Sequence, residues 1–240
     1  MSDEALGTHR SQIRGEQNVS MENRKTAPVG VFDSGVGGLT VAREISRQLP
    51  NENIVYFGDT ARVPYGSKSQ NTIIRFSEQI IRFLKTKDVK AIVIACNTAS
   101  ALALDAVRDE FDLPIMGVVI PGARAAVEAT KNRKVGVVGT DATVQSGMYT
   151  KVIHGMAPDI TVIEKACPLF VPLVEEGFKE HPVTGEIIEY YLESMRSTDI
   201  DAMILGCTHY PLLRSRTREY MGDKIQIVNP AYETAMDLKR

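Results

Sequence analysis

The stretch "AIVIACNTAS", residues 91–100, joins a run of apolar, mostly β-branched residues to a helix-forming segment, with Cys96 at the junction. A second stretch, "MILGCTHYP", residues 203–211, repeats this arrangement around Cys207. Short, continuously apolar runs are typical of strands that helices cover on both faces, as in parallel sheets. The two stretches therefore predict an α/β fold in which each cysteine follows a buried parallel strand.

The rest of the chain supports this fold class. From Pro28 onward, runs rich in Val and Ile alternate with segments of helical period, which predicts βα units and mainly parallel sheets. Apolar stripes at 67–87 and 185–195 predict amphipathic helices that pack on the strands. The predicted strands lie at 29–33, 54–58, 91–96, 114–119, 134–139, 160–166, 202–206 and 225–228.

The two cysteine strands lie nearly half the chain apart, in a chain of 240 residues. Two similar α/β domains, each with a mainly parallel sheet, would explain this spacing if they faced each other across a cleft. Ligands of open α/β sheets bind outside the carboxyl ends of the strands. The expected active site is therefore the cleft between the two domains.

Composition favours a small molecule as the partner. The chain has 28 Lys and Arg against 30 Asp and Glu, so it lacks the basic excess that binds nucleic acid or an anionic membrane. Its apolar runs are too short to cross a bilayer, and residues 1–27 read as a polar, disordered extension without a secretory signal. Three cysteines without CxxC spacing fit a reducing cytosol and argue against a disulfide framework or a zinc site.

The setting of the cysteines suggests acid/base chemistry. Asn97 and Thr98 are expected to cap the helix after Cys96, and the free N–H groups of such a helix end attract anions and favour thiolate. Inverting a carbon acid requires a base on one face and an acid on the other. A thiol, with an ordinary pKa of about 8.5, can serve as either. Asp33 and His209 are candidates for tuning the two thiols.

Simpler interpretations remain open for single residues. Any one cysteine can be a small buried hydrophobe, and Cys167 in "EKACPLF" keeps that interpretation. His209 taken alone is equally compatible with a structural hydrogen bond. The "SGVGG" stretch at 34–38 falls short of GxGxxG, and Asp59 is its only candidate ribose ligand. Its glycines are instead predicted to let the backbone approach a ligand carboxylate.

No motif in the chain indicates a cofactor or a metal. P-loop, HExxH and GxSxG patterns do not occur, and no lysine has the setting of a pyridoxal phosphate Schiff base. The sequence therefore predicts chemistry without a cofactor and without a metal ion.

Five segments of the chain together resemble the glutamate racemase family of the aspartate/glutamate racemase superfamily. In order between positions 29 and 233, they read "VFDSGVGGLTV", "VPYGSKS", "ACNTASALAL", "CPLFVPLVE" and "LGCTHYPLL". The resemblance implies cofactor-independent interconversion of L- and D-glutamate in the cytoplasm, supplying D-glutamate for bacterial peptidoglycan. It also implies one α/β domain at 28–117 with 231–240, and a second at 118–230.

The resemblance assigns roles residue by residue. The cysteines of the CNTA and GCTH segments act as the two acid/base residues of the family, and these are Cys96 and Cys207 here. Asp33, His209 and Glu175 match its supporting catalytic residues. The implied substrate-binding residues are Asp33, Ser34, Tyr65, Gly66, Asn97, Thr98, Thr208 and His209, and Thr140 and Thr143 of "GTDAT" match positions near the site.

Two other functions are weighed against this one. An aspartate racemase of the same superfamily would keep both cysteines, but such relatives usually resemble GCTE where this chain has "GCTHYP", so His209 favours glutamate. A non-catalytic protein that binds a small anion would need neither thiol. Homodimers are common in the glutamate racemase family, and the sequence leaves the oligomeric state of this chain open.

Overall fold

The structure is a computed structural model that describes residues 26–240. The predicted extension at 1–27 lies outside the described residues except for its last two positions. Within the described range the chain forms two four-stranded sheets, all of whose strand pairs are parallel, with helices around them. The predicted α/β class with two mainly parallel sheets is confirmed.

The first sheet has the strand order β2-β1-β3-β4. Its strands are β1 (Val29–Asp33), β2 (Ile54–Gly58), β3 (Ala91–Ile94) and β4 (Ile115–Gly117). The helices that alternate with them are α1 (Leu39–Gln48), α2 (Gln70–Lys85) and α3 (Asn97–Glu110).

The second sheet has the order β6-β5-β7-β8, which repeats the order of the first. Its strands are β5 (Lys134–Gly139), β6 (Thr161–Ala166), β7 (Ala202–Gly206) and β8 (Gln226–Val228). The remaining helices are α4 (Val119–Ala129), α5 (Asp141–Gln145), α6 (Met148–Met156), α7 (Phe170–Glu175), α8 (Pro182–Arg196), α9 (Arg214–Met221) and α10 (Pro230–Lys239), with 3-10 turns at Phe178–Glu180 and Tyr210–Leu213.

Strand β3 precedes Cys96 and strand β7 precedes Cys207. The two strands occupy equivalent places in the two halves of the molecule, of which the first contains β1 to β4 and the second β5 to β8. Strand β3 pairs with β1 as β7 pairs with β5, and both are buried because helices cover the two faces of each sheet. The predicted strand at 91–96 ends at Ile94, so Cys96 lies two residues beyond it. The predicted strand at 114–119 ends at Gly117, and Val119 already begins helix α4.

Helix α2 shows how the local sequence sets an element. The predicted segment at 67–87 begins as a helix only at Gln70, because the Ser69 side chain accepts a hydrogen bond from the Thr72 N–H at 3.4 Å and caps the helix. Its buried stripe of Ile73, Ile80, Ile81 and Leu84 packs in the core under the first sheet. The predicted segment at 185–195 likewise lies within a longer helix, α8.

The final helix returns to the first half of the molecule. Helix α10 packs against both α1 and α4. Nη1 of Arg124 on α4 lies 2.7 and 2.8 Å from the two carboxylate oxygens of Asp237 on α10. Helix α1 lies in the predicted first domain, to which 231–240 was assigned, and α4 lies in the predicted second domain. The domain boundaries themselves stay predictions. Within residues 26–240, no helix combines the length and the apolar character that a membrane span needs.

Candidate active site

A cavity of about 320 Å³ lies between the two sheets. Residues that follow β1, β2 and β3 line one side, and residues that follow β5, β6 and β7 line the other. Its size suits a small ligand, and its place outside the strand ends is where α/β sheets bind ligands. Of the predicted site residues, those lining the cavity are Ser34, Tyr65, Gly66, Cys96, Asn97, Thr98, Thr140, Glu175, Cys207, Thr208 and His209.

Cys96 is itself the N-cap of helix α3. Its backbone is extended, and its Sγ accepts a hydrogen bond from the Ala99 N–H at 3.4 Å and donates to Ser34 Oγ at 3.7 Å. The prediction that Asn97 and Thr98 cap this helix is therefore wrong, because the thiol already occupies the capping position and they form the first turn. The prediction rested on the usual preference for oxygen-bearing caps.

The electrostatic setting of Cys96 favours the neutral thiol. Burial raises the pKa of the Cys96 thiol to about 11, and the negative charge of Asp33 acts in the same direction. The Ala99 N–H and the contacts with Ser34 oppose this rise without cancelling it. The helix end thus acts in the expected direction, because the Ala99 N–H lowers the pKa of Cys96, but burial raises that pKa by more.

Cys207 directly follows β7 and is likewise buried. Its Sγ lies 3.9 Å from Nδ1 of His209. Burial raises the pKa of Cys207, and the charges of Cys96 and Asp33 add to the rise, while the N–H groups of His209 and Tyr210 oppose it. Cys207 thus also favours the neutral thiol, with an imidazole beside it.

His209 connects Cys207 to a carboxylate. Its Nε2 lies 3.1 Å from Oε1 of Glu175, which ends helix α7, and its Nδ1 also lies 3.4 Å from the Thr208 hydroxyl oxygen. In the tautomer with hydrogen on Nε2, the ring donates to Glu175 and leaves Nδ1 free to accept from the thiol. The carboxylate, imidazole and thiol then form one hydrogen-bonded series.

Asp33 lies behind the cavity wall. Its Oδ2 accepts hydrogen bonds from the N–H groups of Gly35 and Gly38 at 3.0 and 2.9 Å, while Oδ1 has no hydrogen-bond partner among the described residues. Burial raises its pKa, and these two N–H groups and His209 lower it in part. The N–H groups of Gly35 and Gly38 thus hold the carboxylate of Asp33, and the approach of the loop backbone to a ligand carboxylate stays a prediction.

Gly37 lets the 34–38 loop approach the His209 segment. A Cβ atom at this position would lie 2.5 Å from Cε1 and Nδ1 of His209 and from the hydroxyl oxygen of Thr208. No side chain fits at such distances. The glycine therefore permits contact between loops that follow strands of different sheets.

Asp59, the only candidate for a ribose ligand, has other partners. Its carboxylate oxygens accept from Nε of Arg62 at 2.9 and 2.7 Å, and Oδ2 also accepts from the Tyr65 hydroxyl. These contacts hold Tyr65 at the cavity wall. The neighbouring Gly66 carbonyl accepts from the Ala142 N–H at 3.0 Å, which joins this segment to the second half.

Hydrogen bonds across the two halves surround the cavity. Oδ1 of Asn97 accepts from the Tyr149 hydroxyl at 2.7 Å, and the Thr98 hydroxyl oxygen lies 2.9 Å from that of Thr140 and 3.3 Å from that of Thr143. Asn97 and Thr98 therefore join the two sheets as well as facing the cavity. Thr143 is buried behind the cavity wall.

Several residues of the site were not predicted. Asp141 lines the cavity beside Thr140, and its place in the matched "GTDAT" segment was the available signal. Tyr149 in "GMYT" offers no recognisable pattern. Tyr149 does not line the cavity, and the lining residues that were missed besides Asp141 are Val63, Pro64, Ser67, Pro168, Val171 and Pro172. Cys167, by contrast, is buried in the apolar core of the second half, as the simpler interpretation predicts.

The charge of the cavity wall is acidic or neutral. Asp141 and Glu175 line it, and no lysine or arginine is among its lining residues in the described part of the chain. A bound carboxylate would rely on hydroxyl, amide and backbone N–H donors. Within residues 26–240, no three His, Cys, Asp or Glu side chains are grouped so that they could hold a metal ion.

The fold and the cleft are those of an α/β isomerase of the amino-acid racemase class. The family model of the Asp/Glu/Hydantoin racemases matches residues 29–237, and the chain belongs to this family.

Individual relatives cover most of the chain. A glutamate racemase from Geobacter metallireducens is 49% identical over 207 residues, which is 86% of this chain and 77% of the relative. The crystal structure of a glutamate racemase isoform from Bacillus anthracis is 44% identical, with a TM-score of 0.87 over 89% of this chain and 80% of that one. A glutamate racemase from Francisella tularensis, in complex with D-glutamate, is 40% identical, with a TM-score of 0.84 over 89% and 80% of the two chains.

Proposed function

We propose that this protein is a glutamate racemase that interconverts L- and D-glutamate, without a cofactor, through Cys96 and Cys207. The observation that supports the proposal best is the pair of buried thiols at equivalent strand ends of two repeated sheets, both lining one cavity. The similarity to proteins named glutamate racemase, one of them in complex with D-glutamate, supports the choice of substrate.

In the proposed reaction, Cys207 as thiolate takes the α-hydrogen of L-glutamate. The C–H electron pair stays on the α-carbon, and the Cys96 thiol then donates its proton to the opposite face. The roles reverse for D-glutamate. A deprotonated thiol is needed at the start, and Nδ1 of His209 lies 3.9 Å from Sγ of Cys207, where it can take the proton. The contact with Glu175 favours the imidazolium that results.

Substrate binding is proposed to use neutral donors. The N–H groups in the first turn of α3 and the hydroxyl groups of Ser34 and Thr208 can hold the carboxylates. The acidic Asp141 and Glu175 attract the ammonium group. Asp33 lies behind the cavity wall, so tuning of Cys96 suits it better than contact with the ammonium group.

The biological role is part of the same proposal. The resemblance to the glutamate racemase family implies a role in supplying D-glutamate for bacterial peptidoglycan. We propose that the chain acts in the cytoplasm and supplies D-glutamate for cell-wall synthesis and cell shape. Expression in a bacterial strain that requires added D-glutamate should remove the requirement, and the Cys96→Ala variant should not.

The enzymatic test uses each enantiomer of glutamate in deuterated water. Racemisation should place deuterium on the α-carbon of the product, and aspartate in the same assay should react at least about a hundredfold more slowly. Cys96→Ala and Cys207→Ala should each abolish racemisation, whereas Cys167→Ala, a thiol outside the cavity, should retain it. Persistent racemisation in both of the first two variants would overturn the two-thiol mechanism, and faster turnover of aspartate would overturn the substrate.

A further inference from the structure

Tyr149 contacts residues of both halves of the molecule and lies outside the cavity. It stands in helix α6, is fully buried, and belongs to an apolar core that includes Val137 of β5 and Ile204 of β7. Because it is not a cavity-lining residue, it has no place in substrate binding. Its two contacts toward the cysteines nevertheless distinguish it from an ordinary core residue.

The distal part of the Tyr149 ring contacts both halves of the molecule. The hydroxyl donates a 2.7 Å hydrogen bond to Oδ1 of Asn97, in the first turn of α3. The ring lies against Gly206 at the end of β7, where an added Cβ would come within 3.1 Å of the ring carbon Cε2. The absence of a side chain at Gly206 therefore permits the close approach of the strand to the ring.

Each of these contacts is one residue away from a thiol. Asn97 directly follows Cys96, and Gly206 directly precedes Cys207. We propose that Tyr149 is a positioning residue that sets the separation of the two thiols across the cavity. The inference rests on the proposed two-thiol function. A phenol ring is suited to this role because it is rigid. The distance between its hydroxyl oxygen and Cε2, the two atoms that make these contacts, stays the same in every rotamer.

The Tyr149 hydroxyl keeps its proton, and so its hydrogen bond to Asn97, at neutral and moderately alkaline pH. Burial raises the pKa of Tyr149, and nearby negative charge on Glu164 and Cys207 acts in the same direction, so the phenol stays neutral and donates. The donor and acceptor are both buried, and loss of the hydroxyl leaves Oδ1 of Asn97 without this partner. The first turn of α3, with Cys96 as its cap, is then free to shift.

Tyr149→Phe tests the proposal because it removes only the hydroxyl. A thiol displaced by a fraction of an ångström should lower kcat about tenfold for both enantiomers, with KM within about twofold of the wild type. A second readout is isotopic. When the donor thiol is misplaced, the deprotonated intermediate persists, so the thiol that took the α-proton can exchange it with D2O and return deuterium to the face it left. Deuterium in recovered substrate relative to product should therefore rise about threefold or more.

Thr184→Val is the matched control because it also removes one hydroxyl. Thr184 is buried in helix α8, does not line the cavity, and its hydroxyl donates to the carbonyl oxygen of Phe178 at 2.6 Å, within the second half. It should lose a comparable part of its thermal stability while its deuterium ratio stays at the wild-type value. Equal changes of the deuterium ratio in both variants would overturn the proposal, because they would indicate a general effect of lost stability.

A double-mutant cycle with Asn97→Ala tests the route of the effect. If Tyr149 acts through Asn97, then adding Tyr149→Phe to Asn97→Ala should lower kcat by less than about twofold. If the two substitutions lower kcat by factors that multiply in the double variant, the proposed route is overturned. A Tyr149→Phe variant that matches the wild type in kcat and deuterium ratio would also overturn it. A wild-type chain that racemises neither enantiomer would instead overturn the proposed function, so the two failures are distinguishable.

Discussion

Nε2 of His209 lies 3.1 Å from Oε1 of Glu175, although 34 residues separate them along the chain. Helix α7 carries the carboxylate to the cavity wall, and the segment after β7 carries the imidazole. The ring is buried and its partner carboxylate is about half exposed. The pair thus extends from the solvent side of the cleft to the thiol of Cys207.

Glu175→Gln keeps an oxygen that can accept from Nε2 but removes the negative charge. In the proposed reaction, that charge favours the imidazolium that forms when His209 takes the proton of Cys207, so we expect kcat to fall about tenfold with a smaller change in KM. Steady-state kinetics of both enantiomers will measure this. Glu176→Gln is the matched control, since Glu176 is the adjacent exposed carboxylate and does not line the cavity. Equal losses in the two variants would contradict the role of Glu175.

The raised pKa of Cys96 predicts a loss of stability at alkaline pH. The pKa is raised from 9.0 to about 11 in the folded protein, so folding favours the neutral thiol. This contribution to the free energy of unfolding is fully present below pH 9 and is lost as the pH rises through about 11. Urea unfolding between pH 8 and pH 11 should show the fall, and Cys96→Ser should make it shallower. An unchanged slope in the variant would contradict the prediction.

Asp33→Asn should raise stability and lower activity. Burial raises the pKa of Asp33 above its ordinary 3.8, so its contribution to stability is present below that pH and is lost as the pH rises through the folded-state pKa. At pH 7 the buried charge is a cost that asparagine removes, because its oxygen can still accept from Gly35 and Gly38. We expect about 1 kcal/mol more stability at pH 7 and a loss of at least about tenfold in kcat.

The pH dependence is the control for Asp33→Asn. The gain in stability should shrink as the pH falls from the raised folded-state pKa of Asp33 toward 3.8, because the buried carboxyl of the wild type is then protonated. Thermal unfolding at several pH values, together with kcat at pH 7 and above, will separate the two effects. A variant that is less stable than the wild type at pH 7 would contradict the account of Asp33.

Gly37→Ala should displace His209. The new Cβ would lie 2.5 Å from the ring and from the Thr208 hydroxyl oxygen, so one of the two loops must move. A shift of about 1 Å at reacting groups lowers kcat by up to about a hundredfold. Gly155→Ala is the matched control, since nothing lies within 4 Å of the position of its added Cβ. Similar kcat values for Gly37→Ala and the wild type would show that the loops adapt without cost.

The sequence predicted those features that depend on local pattern. Apolar runs such as the one before Cys207 identified the parallel strands, because burial on both faces leaves a continuous signal. The capping of α3 was missed because a thiol is an uncommon cap beside Asn97 and Thr98. Contacts across the two halves, such as Tyr149 with Asn97, depend on how the sheets face each other, and no pattern along a single segment encodes that placement.

The repeated strand order gives the two thiols equivalent positions but different neighbours. Cys96 caps a helix, whereas Cys207 lies beside an imidazole. Mirror-image amino acids have the same free energy in water, so the equilibrium constant of the proposed reaction is fixed at one, and kcat/KM must be equal in the two directions. The different neighbours of the two thiols can therefore make kcat differ between the enantiomers only if KM differs by the same factor. No substitution in the cleft can make the reaction favour one enantiomer at equilibrium.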